Sequence, residues 1–386
     1  MNFHLTEEQE MLRAVAYEFS QGEIAPIAAQ IDAAGAIPED LRRKLWDNNF
    51  FALLIPEAYG GAGIDTVAYA VILEELSRAS AAVAITVSVH NSVSATPIGQ
   101  FGSEEQKRKW LPRLAKGTLG AFALTEPGSG SDAAALITRA ERRGEEYVLN
   151  GLKTFVTNGK HADLFLVMAR TNPGMKHRGI SAFLVERTAP GLHVGRDIDK
   201  MGIRGSDTVE LSLEDCRVPA ANLLGAEGHG FRVAMQALDG GRIGVAAQAL
   251  GIARAALEAA TRYARERVQF GRPIAEFQAI QWMLADSAAE IDAARLLTLR
   301  AAWLKDQGIP CGPQASMAKL LASEAARTAS DRAVQVHGGY GYTREFAVER
   351  YYRDAKVTEL YEGTSEIQRI VIANSLLHGK DGKGPA

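Results

Sequence analysis

Apolar residues recur at three- and four-residue intervals from the start of the chain. Thr6-x-x-Gln9 forms a capping box ahead of Met11, Leu12, Val15 and Phe19, whose spacing marks one face of an opening helix. The same period predicts helices over 39–48, 65–77, 79–95 and 103–116, the last opened by a second box, Ser103-x-x-Gln106. Residues 81–93 are almost wholly apolar, which predicts a helix buried on all sides. From about 117 the texture changes. Runs near 120–124, 136–140, 147–149, 164–169, 181–185 and 208–213 are short, rich in Val, Leu, Phe or Tyr, and separated by Gly, Asn or Pro, with Arg142-Arg143-Gly144-Glu145 reading as a hairpin turn. From Gly230 the helical period returns: an Ala-rich stretch to about 268, then 276–305, 313–336, and shorter stretches near 347 and after 364. Long helices with short links read as an antiparallel bundle. The fold class is therefore α+β, with an N-terminal α-helical domain (1–116), a central small β-barrel or sandwich (117–221) and a C-terminal helical bundle domain (222–386).

Composition narrows the function. The chain has 386 residues, 47% apolar and 23% charged, enough for two or three cores of an ordinary globular protein. A net charge of -3, with no basic face, argues against nucleic acid as a partner. Cys216 and Cys311 lie far apart, and the eight histidines show no ligand spacing, so neither a disulfide framework nor a metal is expected. No uninterrupted apolar run reaches the length of a membrane span, and the first residues show no leader pattern. The expectation is a cytoplasmic protein without a membrane partner, or one of the mitochondrial matrix if a leader has been removed.

Gly60-Gly61-Ala62-Gly63 and Gly338-Gly339-Tyr340-Gly341 fit neither a dinucleotide fingerprint nor a P-loop, and no G-x-S-x-G elbow exists. Several unusual turns remain. Leu124-Thr125-Glu126-Pro127-Gly128-Ser129-Gly130-Ser131-Asp132 follows a strand and offers hydroxyls and backbone N–H groups to a polar ring edge or a phosphate; it also reads as a flexible surface loop. Lys153-Thr154-Phe155-Val156-Thr157-Asn158-Gly159 sets an aromatic and two hydroxyls at a strand end, as a packed core residue beside a turn also does. Arg267-Val268-Gln269-Phe270-Gly271 ends the long helix with a cation that can receive an anion or cap the last carbonyls. Gln335 to Tyr342 closes the third bundle helix with adjacent glycines, where a plain C-cap needs one. In Leu360-Tyr361-Glu362-Gly363-Thr364-Ser365-Glu366, apolar residues precede a lone carboxylate, Gly363 permits close approach, and Thr364 opens a helix. By spacing alone Glu362 is a solvated turn residue; in an apolar pocket its pKa would climb from about 4.3 toward that of a base useful at neutral pH.

Taken together, Leu5-Thr6-Glu7-Glu8-Gln9, Thr125 to Asp132, Arg267-x-x-Phe270-Gly271, the Gln335 to Gly339 turn and Tyr361-Glu362-Gly363-Thr364 resemble the acyl-CoA dehydrogenase family over nearly the whole chain. The resemblance implies an α domain, a β domain and a C-terminal four-helix bundle. It implies FAD, acyl-CoA as substrate, electron-transfer flavoprotein as partner, and a homo-oligomer, most often a tetramer. It implies that Glu362 takes the α-proton while a β-hydride goes to flavin N5, and that the Glu362 N–H helps hold the thioester oxygen. Phe122, Leu124, Thr125, Gly130, Ser131, Phe155, Val156 and Thr157 match the flavin lining. Arg267, Gln269, Phe270 and Gln278, with Gln335, Val336, Gly338 and Gly339, match the set that holds the far end of FAD across a subunit boundary. Thr364 and Glu366 match flavin contacts beside the base. Ser131, Ser206, Asp239, Arg242 and Gly363 match substrate contacts.

Two departures from the family pattern bear on the site. Phe155 stands where Trp is common, and Gly241 stands where one subset of the family carries its base, leaving that role to Glu362. Leu238-Asp239-Gly240-Gly241-Arg242-Ile243 resembles short-chain and short branched-chain members, which act in fatty-acid β-oxidation and branched-chain amino-acid catabolism, and leaves butyryl-, isobutyryl- and 2-methylbutyryl-CoA open. The pocket floor is expected within 88–97, with Val89, His90, Asn91 and Val93 as candidates. An oxidase using O2 and a non-catalytic CoA-binding assembly module are the rival readings.

Overall fold

The computed structural model describes residues 4–379. Seven helices come first: α1 (Glu7–Phe19), α2 (Ala28–Ala34), α3 (Glu39–Asp47), α4 (Thr66–Ala79), α5 (Ala81–Val89), α6 (Thr96–Phe101) and α7 (Glu104–Ala115). Both capping boxes form, and the Gln106 amide of the second also donates to the Ala221 and Leu223 carbonyls, fastening α7 to the sheet beyond it. The helix expected over 79–95 is instead two pieces. Ser80 is extended, α5 begins after it, and residues 90–95 widen into a π-helical turn where Asn91 and Ser92 side chains bond to Phe50, Val87 and Ser88 carbonyls.

The sheet contains β1 (Gly120–Ala123), β2 (Arg139–Arg143), β3 (Glu146–Thr157), β4 (Leu164–Arg170), β5 (Ile180–Glu186), β6 (Leu192–Asp197), β7 (Thr208–Pro219) and β8 (Leu223–Leu224). Its order is β6-β7-β3-β2-β4-β5-β8, with β1 parallel to β4. The run in β4 is continuous because both faces are buried. Phe165, Val167 and Ala169 join the interior of the sheet domain, while Leu164, Leu166 and Met168 pack with Trp110, Leu111 and Val233 of the helical layers. The strand expected from Leu136 starts only at Arg139, since the Ile137 and Thr138 N–H groups donate to the Glu126 carboxylate rather than to a ladder.

α8 (Gly230–Glu266) then crosses the molecule, followed by a two-stranded turn of β9 (Val268–Gln269) and β10 (Arg272–Pro273) and by α9 (Gln278–Asp306), α10 (Gly312–His337), α11 (Val348–Thr358) and α12 (Ser365–His378). By length and composition α8 is apolar enough to cross a membrane, although no uninterrupted apolar run reveals it. Here it is mostly buried inside the protein, surrounded by α4, α5, α9, α10 and α11. Half-buried ion pairs tie these layers. Glu74 accepts from Arg254 and Arg295, and Arg353 of α11 bridges Glu349 and Asp32 of α2.

Candidate active site

Three segments converge on one side of α8. The first is the turn between α11 and α12. Glu362 adopts φ 52 and Gly363 φ 92, two left-handed residues in succession, and a Cβ at Gly363 would stand 2.7 Å from Gln368 Nε2. For Glu362 such a conformation costs on the order of 1 kcal/mol, so the surroundings must impose it. They do so through the carbonyls: Gln368 Nε2 donates to Glu362 O (3.2 Å) and Gly363 O (2.8 Å), and Lys319 Nζ donates to Gly363 O (2.9 Å). Thr364 caps α12 by accepting from Ile367 N. With its carbonyl turned inward, the Glu362 N–H has no partner among the described residues.

The Glu362 side chain lies against α8 where residue 241 has no side chain. A Cβ on Gly241 would fall 1.7 Å from Oε2. Oε2 is buried without a hydrogen-bond partner, and burial raises the carboxyl pKa to about 7, opposed by the charges of Arg242 and Lys319. One turn further along, a Cβ on Gly244 would meet Ser88 Oγ at 2.4 Å and Tyr69 Oη at 3.0 Å. Flanking Gly241, Asp239 accepts from Arg242 Nη1 at 2.7 Å, while the buried Arg242 Nε is unpartnered; burial raises the Asp239 pKa against the pull of Arg242 and Lys305.

The second segment is the loop after β1. Rather than a flexible excursion, it is anchored by a buried ion pair: Lys153 Nζ donates to Glu126 Oε1 (2.7 Å) and Leu124 O (3.1 Å). The Glu126 carboxylate also takes two backbone N–H groups, and despite its burial the pair and these bonds hold its pKa below the usual range. Gly130 and Ser131 stand exposed beyond this anchor. Leu124 and Leu136, at the two ends of the loop, share a cluster with Leu238 of α8, which sets the loop beside Asp239. The third segment is the bulge in β3. The ladder shifts between Lys153 and Val156, the Thr154 N–H donates to Thr125 O, and Phe155 is thrown outward at φ 55 with its ring 62% exposed. An exposed aromatic at a rigid bulge, next to a loop presenting N–H groups and hydroxyls, suits a planar polar ring such as a flavin.

The remaining sequence-derived residues divide. Arg267 lies with its guanidinium 5.5 Å from the Tyr340 ring centroid, so 267–278 and 335–340 meet at one end of the bundle. There Gln269, Gln278, Gln335, Gly338 and Gly339 are exposed, and Phe270 is 93% exposed at φ 52. Lys319 and Gln335 are sixteen residues apart in α10, about 24 Å, so this end is remote from Glu362 in the same chain. Phe122 and Thr157 are partly buried, and Glu366 is exposed in the first turn of α12.

Four placements correct the sequence reading. The side chains of Leu124, Val156 and Val336 are in the core, leaving only their backbones for a ligand. Ser206 is fully buried, its hydroxyl accepting from Thr86 Oγ1 at 3.4 Å, and has no surface to offer. His90 is also structural: Nδ1 accepts from Gly120 N and Nε2 faces Leu114 O, with burial lowering its pKa to about 4. Asn91 is spent on Phe50, Val87 and Leu54 backbone atoms.

Unnoticed in the sequence were Lys319, Gln368, the Glu126–Lys153 pair and Tyr69. Lys319 carried a signal. It falls on the Ala315, Ala322, Ala326 stripe of α10, where an apolar residue is expected.

A buried turn carboxylate, an unpartnered N–H beside it and an exposed aromatic on a rigid bulge lie along one side of α8. Residues 6–118, 121–216 and 228–377 match the N-terminal, middle and C-terminal domains of acyl-CoA dehydrogenase. The mitochondrial short-chain specific acyl-CoA dehydrogenase of Mus musculus is 50% identical over 374 residues, covering 97% of this chain and 91% of that protein. Butyryl-CoA dehydrogenase from Megasphaera elsdenii superposes with a TM-score of 0.96 at 46% identity, covering 98% and 100%. A chain from a structure of the electron transferring flavoprotein of Acidaminococcus fermentans does so with 0.96 at 49%, also covering 98% and 100%. The chain belongs to the acyl-CoA dehydrogenase family. It is an FAD-dependent oxidoreductase acting on acyl-CoA.

Proposed function

We propose that this enzyme dehydrogenates short-chain acyl-CoA thioesters to trans-2-enoyl-CoA, with Glu362 as the base. The observation that carries this is the carboxyl packed on Gly241 with its own N–H unpartnered. At neutral pH a base with pKa about 7 is partly ionised and binds the α-proton firmly once it arrives. The unpartnered Glu362 N–H would donate a hydrogen bond to the thioester oxygen as negative charge develops there. FAD, when bound, would supply the acceptor for the β-hydrogen leaving as hydride. Phe155, Thr157 and the 125–131 loop hold and orient the ring. Asp239, Arg242 and Ser131 line the path of the CoA chain.

Short substrates are favoured because the space past Gly241 closes quickly. Tyr69 and Ser88 meet α8 at Gly244, and the Tyr361 hydroxyl bonds Gln248 Oε1 beside them. Butyryl-CoA is the first choice, with branched C4 and C5 acyl groups overlapping it, since one methylene is worth only about 1–3 kcal/mol of discrimination. Electron-transfer flavoprotein as acceptor is supported by the likeness to a chain in the structure of the electron transferring flavoprotein of Acidaminococcus fermentans. A homo-oligomer, most simply a tetramer, is supported by the exposed bundle end around Phe270 and Gln335, the latter about 24 Å along α10 from Lys319, which suits the far end of a neighbour's FAD. The burial of α8 inside the bundle supports a setting outside the membrane for this helix.

The test is Glu362→Gln. The purified variant should retain FAD and bind butyryl-CoA while turnover falls by several orders of magnitude; retained turnover would place the base elsewhere. Stoichiometric peroxide during wild-type turnover would favour the oxidase reading.

A further inference from the structure

α10 carries a lysine where its packing calls for an apolar residue. Lys319 is completely buried, on the stripe of Ala315, Ala322 and Ala326 that faces the core. Its only hydrogen bond among the described residues goes from Nζ to the Gly363 carbonyl, at 2.9 Å, leaving most of a buried ammonium's donor capacity unused. A methionine of similar length would fill the same space without desolvating a charge. Nor is the lysine needed to satisfy that carbonyl, because Gln368 Nε2 already donates to it at 2.8 Å and to Glu362 O at 3.2 Å. What Lys319 adds is a fixed positive charge at the Gly363–Thr364 peptide, one residue past Glu362.

We propose that Lys319 is a positioning residue for the catalytic turn: its bond to the Gly363 carbonyl fixes the two successive left-handed residues Glu362 and Gly363, and with them the place of the Glu362 carboxyl and N–H, and its charge steadies the ionised base. This rests on the reading of Glu362 as the base. The titratable groups facing Glu362 come from three packed elements and its own loop: the cations Arg242 on α8 and Lys319 on α10, and the neutral phenols of Tyr69 on α4 and neighbouring Tyr361, both pushed upward by burial. Lys319 in turn feels Glu362, Arg242, Glu359 and Glu366. Arg242 and Lys319 oppose the upward push of burial on Glu362, whereas burial brings Lys319 itself down to about 8. Arg242 is engaged with Asp239, so Lys319 is the cation whose hydrogen bond ends on the turn itself.

Two variants separate the bond from the charge. Lys319→Gln keeps a donor and loses the charge; Lys319→Met loses both. Each would be purified with FAD and assayed with butyryl-CoA across pH 5.5–9, with melting curves over the same range as a readout independent of turnover. In Lys319→Gln the acid limb of kcat/KM should move up by about one unit or more, the effect of removing a nearby opposite charge, with the loss greatest below pH 7. In Lys319→Met the same displacement should be joined by a pH-independent fall in kcat with little change in KM. An acid limb unchanged in Lys319→Gln overturns the proposal even if the melting temperature drops. So does a Lys319→Gln protein that cannot fold or retain FAD, because the role assigned is confined to the turn. Retained turnover in Glu362→Gln is a separate result that removes the base itself.

Discussion

Gly241→Ala sets two consequences of one methyl group against each other. Glycine within a helix is less favourable than alanine by about 0.8–1 kcal/mol, so the backbone of α8 gains from the substitution. The added Cβ, however, would lie 1.7 Å from Glu362 Oε2 and 2.5 Å from Cδ, against an ordinary contact of 3.4 Å or more. The carboxyl must retreat by roughly 1.7 Å, since the added Cβ is fixed to the backbone of α8 and only the Glu362 side chain is free to move. A misplacement of about 1 Å can cost on the order of 100-fold in rate. The expected outcome is a protein that melts within about 2 °C of wild type, retains FAD, and dehydrogenates butyryl-CoA at least about 100-fold more slowly in kcat. Acceptor reduction under saturating butyryl-CoA, with thermal melting on the same preparation, reads both quantities. Wild-type turnover in Gly241→Ala would refute the inference that the carboxyl works from its place on α8. Parallel loss of melting temperature and activity would refute the separation of stability from catalysis at this residue.

Lys153→Met should leave Glu126 charged, buried and unpaired, costing about 3–5 kcal/mol and weakening FAD retention, and the Glu126→Gln/Lys153→Met double variant should recover part of the loss; denaturant melts and bound-flavin absorbance measure both. The Glu362 pKa is raised on folding from 4.5 to about 7, so its contribution is most favourable below pH 4.5 and is lost as pH rises through 7. Glu362→Gln should therefore melt higher than wild type above pH 7, by roughly one to a few °C, with the gap closing toward pH 5; a pH-independent gap would contradict the raised pKa. Phe270→Ala removes an almost fully exposed ring, so the chain's own packing should barely change. If that ring serves a neighbouring subunit, dilution should release FAD or dissociate the oligomer at higher protein concentration than for wild type, as size-exclusion chromatography with flavin absorbance would show.

Legibility in the sequence followed the number of faces each segment buries. The α7 and α8–α10 helices were readable because capping residues or long apolar stripes mark them, and β4 because both its faces are covered. β6 was missed since His193, Gly195, Arg196 and Asp197 lie along an edge strand that is largely exposed, leaving no alternation to see. The hydrogen bonds of Asn91 and Ser92 that widen the helix after α5 are long-range or side-chain effects that periodicity does not carry. At the site, the helix start at Thr364 and the upward pKa of Glu362 follow from local residue types. The fit of Glu362 to Gly241 does not, because 121 residues separate two positions that meet only after the bundle closes. His90 misled for the opposite reason: a histidine in an apolar stretch suggests a pocket, but both nitrogens are occupied by backbone groups brought in from α7 and β1.

The burial of α5 also dictates an order of events during synthesis. Its residues pack on α4 and on α8, which is not complete until Glu266. At about 5–20 residues per second, the roughly 180 residues between α5 and the end of α8 take on the order of 10–40 s to emerge. Throughout that interval the side of α5 that packs on α8 has no cover, so the nascent chain is exposed to aggregation and is a natural client for a holding chaperone. Slowing translation within 120–230 should lower the yield of active enzyme without altering the stability of the molecules that finish.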